Sequence, residues 1–343
     1  MKIARSIRRC AVVGSILLIS GMIVSTPAWA DEQASCQEVS VPVAVAGDAH
    51  ARIAGSLCLP EERVDAIQVL VPGATYNRIY WDFPERSYAR YAQDHGQATL
   101  AMDRLDTGRS TQVDPQLVTV QADASSIHQV IDALRAGKVG GQRFSRVLLA
   151  GHSLGSIVAV DEAATYHDVD ALALTGFSHF PRASFLAAVP VILKPTQTDG
   201  DPRLANRPVG ELTIDGPDRK KSFYAPDDAD PKVVATDAAT KDTLTANELT
   251  SFPTYQLDMN RVTAPTLIAV GNKDAAFGCG PAVVTLADCS NQQVLRTSEQ
   301  PYFTNARTLD TYVQQGSGHD LNLSNHYRQW FDALSTWAAH HSH

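Results

Sequence analysis

The sequence predicts an α/β protein: a mostly parallel sheet with helices on both faces and a cap inserted late in the chain. Three observations predict it. Short apolar segments alternate with helical stretches from Ala66 to Thr175, a pattern that buries a parallel sheet on both faces. The alternation lapses from about 180 to 262, in a stretch rich in Pro, Asp and Gly, and resumes at Thr266–Val270. Polar, glycine-containing loops follow the later strands, at the sheet edge where such proteins gather their ligands.

Taken in order, Val39–Val45 and Arg52–Leu59 alternate around the Gly47-Asp48 turn and read as an antiparallel hairpin. Ala66–Val71 is a strand ending in Pro72-Gly73, and Pro84–His95 suits a helix with proline in its first turn. Gln97–Met102 is the next strand, followed by the polar loop Asp103–Ser110 and a helix over Val120–Ala136 that stops at Gly137. Arg146–Ala150 reads as a strand, Ser153–Tyr166 as a helix and Ala171–Thr175 as a strand. Within the lapse, Asp230-Pro231 opens one helix, and Thr245 with Glu248 forms a capping box for another. Thr266–Val270, Leu309–Gln314 and a helix over Ser324–His340 complete the pattern.

The 343 residues suffice for one large domain with an insertion. A chain 44% hydrophobic and 19% charged is an ordinary globular one. A net charge of −8, with Arg219-Lys220-Lys221 the longest basic run, argues against a nucleic-acid partner. The first thirty residues stand apart. Lys2, Arg5, Arg8 and Arg9 precede an uncharged apolar stretch, Ala11–Val24, and then Ala28-Trp29-Ala30. That is the order of a cleaved signal peptide. The apolar stretch is shorter than the roughly 20 residues a bilayer span needs, so no stable membrane span is expected once it is removed. The expected location is extracellular, or periplasmic where there is an outer membrane.

Export accounts for the cysteines. Cys36, Cys58, Cys279 and Cys289 remain after Cys10 leaves with the signal, and an even count in an oxidising compartment suggests two disulfides. Of the three possible connectivities, Cys36–Cys58 and Cys279–Cys289 each close a short local loop. Metal-ligand spacing is absent from the sequence, so neither a metal nor a cofactor is expected.

The chemistry concentrates in three places. Gly151-His152-Ser153-Leu154-Gly155 directly follows one strand and opens a helix, the context of a nucleophile elbow. In such a turn the serine backbone is strained, and side chains two residues either side would collide with it. A serine needs a base, and the base needs an orienting acid. Gly271-Asn272-Lys273-Asp274 follows the strand Thr266–Val270, and Gly316-Ser317-Gly318-His319 follows the strand Leu309–Gln314. Asp274 and His319 thus complete the chain order Ser…Asp…His. The loop Gly176–Phe180 has no carboxylate, which leaves Asp288 as the distant alternative to Asp274.

On these motifs the mature chain resembles the α/β-hydrolase superfamily, and its Gly-His-Ser-Leu-Gly is similar to elbows of lipases and esterases. The resemblance implies a secreted serine hydrolase that cleaves carboxylic esters, small or lipid-like, through an acyl-enzyme. Lactonase, thioesterase and peptidase chemistry use the same machinery, and a catalytically silent binding protein is the alternative of another class. By resemblance the N–H groups of Ala74 and Leu154 form the oxyanion hole, although Pro72-Gly73 stands where the family usually has His-Gly. The loop Asp103–Ser110 resembles a family segment that supports the site. Thr75, His152, His179, Phe223 and Tyr224 are candidate substrate contacts, against the plainer reading of His152 as packed and His179 as an ordinary cap residue. The insertion, with Phe252 and Tyr255, is expected to act as a lid.

Overall fold

The computed structural model describes residues 36–277 and 287–342. The expected signal peptide and Cys279 lie outside the described residues.

Among the described residues eight strands form the central sheet: β1 (Gln37–Pro42), β2 (Arg52–Cys58), β3 (Ala66–Val71), β4 (Ala98–Met102), β5 (Arg146–His152), β6 (Ala171–Thr175), β7 (Thr266–Gly271) and β8 (Leu309–Gln314). Their spatial order is β1-β2-β4-β3-β5-β6-β7-β8. From β4 to β8 every neighbouring pair is parallel, and β2 runs antiparallel to both β1 and β4. β3, β5, β6 and β7 read as near-continuous apolar runs because helices cover both of their faces. One face carries α2 (Val120–Arg135) and α3 (Leu154–Tyr166); the other carries α1 (Tyr88–Asp94) and α9 (Tyr327–His340), and α8 (Gln292–Glu299) lies between β7 and β8 in the chain. Cys36 and Cys58 are joined by a disulfide that ties the start of β1 to the end of β2. Cys289 is likewise disulfide-bonded.

Two expected helices start later than their patterns suggested. Instead of opening a helix at 84, Pro84 sits in a tight turn between Asp82–Phe83 and Arg86–Ser87, which pair antiparallel, with Glu85 at φ 65°. Ser87 then caps α1 by accepting the Arg90 N–H. At the carboxyl end, the Leu321–Leu323 turn delays α9 to Tyr327.

Between β6 and β7 the insertion has its own framework. Leu193–Pro195, Glu211–Ile214 and Leu244–Thr245 make a three-stranded antiparallel sheet. Around it stand α4 (Ala183–Ile192), α5 (Gly216–Phe223), α6 (Pro231–Thr240) and α7 (Ala246–Ser251). The Thr245–Glu248 capping box forms as expected, and Asp230 caps α6 through the Lys232 N–H. No helix among the described residues is long and apolar enough to cross a membrane.

Candidate active site

Ser153 occupies the turn between β5 and α3 with φ 53° and ψ −118°, a strained backbone for a residue with a side chain. The flanking glycines are there because nothing larger fits. A Cβ on Gly151 would lie 2.3 Å from the Gly155 carbonyl oxygen, and one on Gly155 would lie 2.5 Å from the Val71 carbonyl oxygen. The Ser153 N–H donates to the Thr175 carbonyl at 2.8 Å, anchoring the turn to the end of β6. Helix α3 begins at Leu154 with no side chain capping it, so its first-turn N–H groups and positive dipole end face the serine.

Asp274 and His319 come from the adjoining ends of β7 and β8. Their loops are tied together: Lys273 N–H donates to the Ser317 carbonyl at 2.9 Å, and Gly316 N–H to Asn272 Oδ1 at 2.7 Å. His319 Nδ1 meets Asp274 Oδ2 at 2.9 Å. Asp274 Oδ1 accepts the N–H groups of Ala276 and Phe277 at 2.7 and 3.0 Å. Burial alone would raise the Asp274 pKa, but the His319 charge and these hydrogen bonds outweigh it and hold the carboxyl below its ordinary range. At His319 burial pulls the pKa down, and the Asp274 charge and hydrogen bond more than reverse this, leaving it raised. The other ring nitrogen, Nε2, is buried and has no hydrogen-bond partner among the described residues.

His319 and His152 converge on Gly176. A Cβ there would lie 2.9 Å from Cε1 of His319 and 2.9 Å from Cε1 of His152, the residue before the serine. Gly73 closes the other side, since its missing Cβ would lie 3.0 Å from Ser153 Cβ. The loop Pro72–Thr75 and the start of α3 therefore flank Ser153. This arrangement can deprotonate a serine hydroxyl and receive negative charge beside it.

The expected substrate contacts divide. Phe223 faces the site, its ring centroid 5.4 Å from that of His319. His152 is fully buried, stacked on Tyr80 at 4.1 Å, with Nε2 3.0 Å from Asp320 Oδ1 and Nδ1 3.2 Å from Thr175 Oγ1. It has no open face for substrate; both nitrogens are spent within the fold. His179 lies at the edge, its Nδ1 2.8 Å from Glu299 Oε1 and its ring stacked on Tyr302. Tyr224 donates to Asp237 Oδ2 at 2.9 Å, and Thr75 is buried under Arg219. Tyr255 is buried against Phe177, and Phe252 packs on it.

His152, His319 and Asp320 gather closely enough to surround one ion. His152 spends Nε2 on Asp320 and Nδ1 on Thr175, whereas His319 Nε2 has no partner among the described residues. His128, Asp132 and Asp168 form a second such group, half-buried to exposed, with Asp168 Oδ2 2.7 Å from Nδ1 and Asp132 Oδ2 3.7 Å from Nε2 of the same ring.

The description of the alpha/beta hydrolase family matches residues 68–333, most of the chain and every element of the site. The chain belongs to the alpha/beta hydrolase family. No curated protein matches it in sequence. Among solved structures, this alpha/beta hydrolase is similar to a thermophilic esterase from Thermogutta terrifontis, at 14% identity and TM-score 0.62, covering 90% of this chain and 100% of that one. A monoacylglycerol lipase from Paleococcus ferrophilus aligns at 14% identity and TM-score 0.54, covering 90% and 99%. An enol-lactonase from Burkholderia xenovorans aligns at 13% and 0.57, covering 87% and 98%. At these identities the likeness is one of fold.

What sequence reasoning missed in this hydrolase is the polar layer behind the site. Tyr76 donates to Asp320 Oδ2 at 2.6 Å, across 244 residues of sequence. Arg104 is buried, donates to the Pro72 carbonyl at 3.0 Å, and pairs with Glu248 and Asp123 at 3.1 and 3.5 Å. Arg219 is equally buried and donates to Thr75. Asp320 was visible only as the neighbour of His319. Burial raises its pKa to about 6, with the His319 charge and the Tyr76 hydrogen bond opposing.

Proposed function

We propose that the protein is a secreted serine hydrolase that cleaves carboxylic ester bonds through an acyl-enzyme. The observation that carries this reading is the His319–Asp274 pair, with His319 Nε2 buried and unpartnered among the described residues, together with Ser153 held at positive φ at the start of α3. In the first step His319 Nε2 takes the Ser153 proton as the oxygen attacks the ester carbonyl. Asp274 holds the imidazole in the tautomer that has Nε2 free, and stabilises the imidazolium that forms. The N–H groups of Ala74 and Leu154 bind the oxyanion. His319 then gives its proton to the departing alcohol, and a water activated by the same nitrogen releases the acid.

The insertion supplies Phe223 as an apolar wall and acts as the cap that sets the acyl or alcohol pocket. The Cys36–Cys58 disulfide supports an oxidising compartment, as do the basic start and apolar stretch of the first thirty residues.

The test is labelling with a fluorophosphonate, followed by turnover of p-nitrophenyl esters from acetate to palmitate. Wild-type protein should be labelled at Ser153. Ser153→Ala should fold normally and lose about 10⁴- to 10⁶-fold in kcat. An unlabelled, inactive wild type would mark a silent binding protein. Label on another residue would displace Ser153 as the nucleophile.

A further inference from the structure

We infer that Arg219, carried by the insertion, is a positioning residue for the oxyanion hole, so that the cap completes the catalytic site as well as covering it. The inference rests on the serine-hydrolase reading.

Thr75 is the pivot. It follows Ala74 in the loop that flanks Ser153, is fully buried, and has φ 61°. A β-branched residue avoids that conformation unless its surroundings impose it. Its described side-chain and carbonyl hydrogen bonds all come from the insertion. Arg219 Nη1 donates to Thr75 Oγ1 at 2.6 Å and to its carbonyl at 3.3 Å. The Asp242 N–H donates to the same carbonyl at 2.9 Å.

Arg219 is itself held from two sides. Its Nη2 and Nε reach the two oxygens of Asp237 at 2.6 and 3.3 Å, the forked pairing that arginine makes and lysine cannot. Its guanidinium lies 4.3 Å from the centre of the Tyr76 ring, the residue after Thr75. The same helix, α5, reaches the other half of the site. The Phe223 carbonyl accepts the N–H of His319 at 2.9 Å and that of Asp320 at 3.2 Å. One short helix of the cap therefore grips the oxyanion loop near its start and the base loop at its end.

A buried ion pair is a poor device for stability alone, because apolar residues of the same volume do as well. Here it sits against a left-handed residue one peptide from a donor that must point at developing charge. Small errors of placement there are expensive: about 1 Å can cost on the order of 10²-fold in rate.

The experiment compares Arg219→Lys, Thr75→Val, Thr75→Ser and the Arg219→Lys/Thr75→Val double variant in the full-length protein. It reads kcat and KM for p-nitrophenyl butyrate and the affinity of a phenylboronic acid, which forms a tetrahedral adduct on the serine. Arg219→Lys should lower kcat roughly 10- to 100-fold with KM nearly unchanged, and weaken the boronic acid in proportion. Thr75→Val should do the same. Thr75→Ser, which keeps the hydroxyl, should retain near-wild-type kcat even if Arg219→Lys fails to fold. In the double variant the two losses should not multiply.

The inference is overturned if folded Arg219→Lys keeps wild-type kcat and boronic-acid affinity, if KM alone rises, if the two losses multiply, or if Thr75→Val matches Thr75→Ser. A wild type that hydrolyses no ester and takes no fluorophosphonate would remove the hydrolase reading first, and this inference with it. An active wild type beside an equally active Arg219→Lys would remove this inference only.

Discussion

Asp274→Asn tests the site at one atom. The substitution keeps the shape of the side chain, and the surroundings dictate how the amide must lie. Oδ1 of Asp274 accepts two backbone N–H groups, from Ala276 and Phe277, in a fully buried position. An asparagine placed with its NH₂ toward them would leave three N–H groups facing one another without an acceptor, at a cost of about 1–3 kcal/mol for each buried group left unpaired. The oxygen must therefore face the backbone and the NH₂ must face His319. Imidazole Nδ1 then becomes an acceptor, the proton moves to Nε2, and the nitrogen needed to take the Ser153 proton is blocked.

The expected loss is about 10⁴ in kcat at neutral pH, or about 5.5 kcal/mol of transition-state stabilisation at 1.36 kcal/mol per decade. Removing the carboxylate also removes what outweighs burial at His319. The acid limb of kcat/KM, expected above the ordinary histidine pKa in the wild type, should move to lower pH in the variant. The assay is p-nitrophenyl butyrate hydrolysis across pH, with thermal melting to establish that the variant is folded. A folded variant that keeps more than about a tenth of wild-type kcat would refute the assignment. So would greater damage from Asp320→Asn, since the Asp320 carboxylate faces His152 and Tyr76. Asp288, the other acid weighed from sequence, is occupied with the Ser290 N–H.

Three further outcomes are expected. Gly176→Ala places a Cβ 2.9 Å from Cε1 of His319 at a residue with φ 53°, so kcat should fall by about 10²-fold or more as the imidazole is pushed aside; an unchanged pH–rate profile and kcat would contradict this. Asp106, buried near Glu211, has its pKa raised by burial and by the Glu211 charge to about 8. Because the folded state holds its proton more tightly, the stability it contributes is full below the ordinary carboxylate range and is lost as pH rises through about 8. Asp106→Asn should therefore flatten the fall in Tm between about pH 5 and pH 9, and parallel curves for variant and wild type would refute this. Opening Cys36–Cys58, which spans 22 residues of sequence, should cost about 3 kcal/mol in the chain-entropy model while leaving kcat of the folded protein unchanged, as denaturant unfolding and ester turnover would show.

The parts of the site legible in sequence are those set by local geometry. Gly151 and Gly155 announce the turn because the backbone packs too closely for a Cβ, and Asp274 and His319 each follow a strand that its apolar run gives away. The start of α1 was misjudged because proline suits both a helix's first turn and a tight turn. Only the pairing of Asp82–Phe83 with Arg86–Ser87 decides between them. The insertion's sheet was missed because its strands are two to four residues long and pair only with one another. His152 looked like a possible substrate contact until its partners Asp320 and Thr175, distant in sequence, were known. The Arg219–Thr75 contact spans 144 residues, beyond any periodic signal.

The buried charges follow a common logic. Arg104 and Arg219 are both fully buried, and they bind consecutive stretches of one short loop, Pro72–Gly73 and Thr75. Arg104 is balanced by Glu248, the capping residue of α7, and by Asp123 of α2; Arg219 is balanced by Asp237 of α6. Each arginine thus joins the loop to an element of the insertion. Burying these ions costs more than burying leucines would, and what they add is directional: an N–H aimed at a carbonyl holds where it points, as no apolar contact does. Had the loop needed only to be covered, the chain could have covered it with the aromatic residues already there, Tyr76, Tyr80 and Phe223. Two arginines bound to four residues of one loop fit the inference drawn above, that the insertion sets the orientation of this backbone.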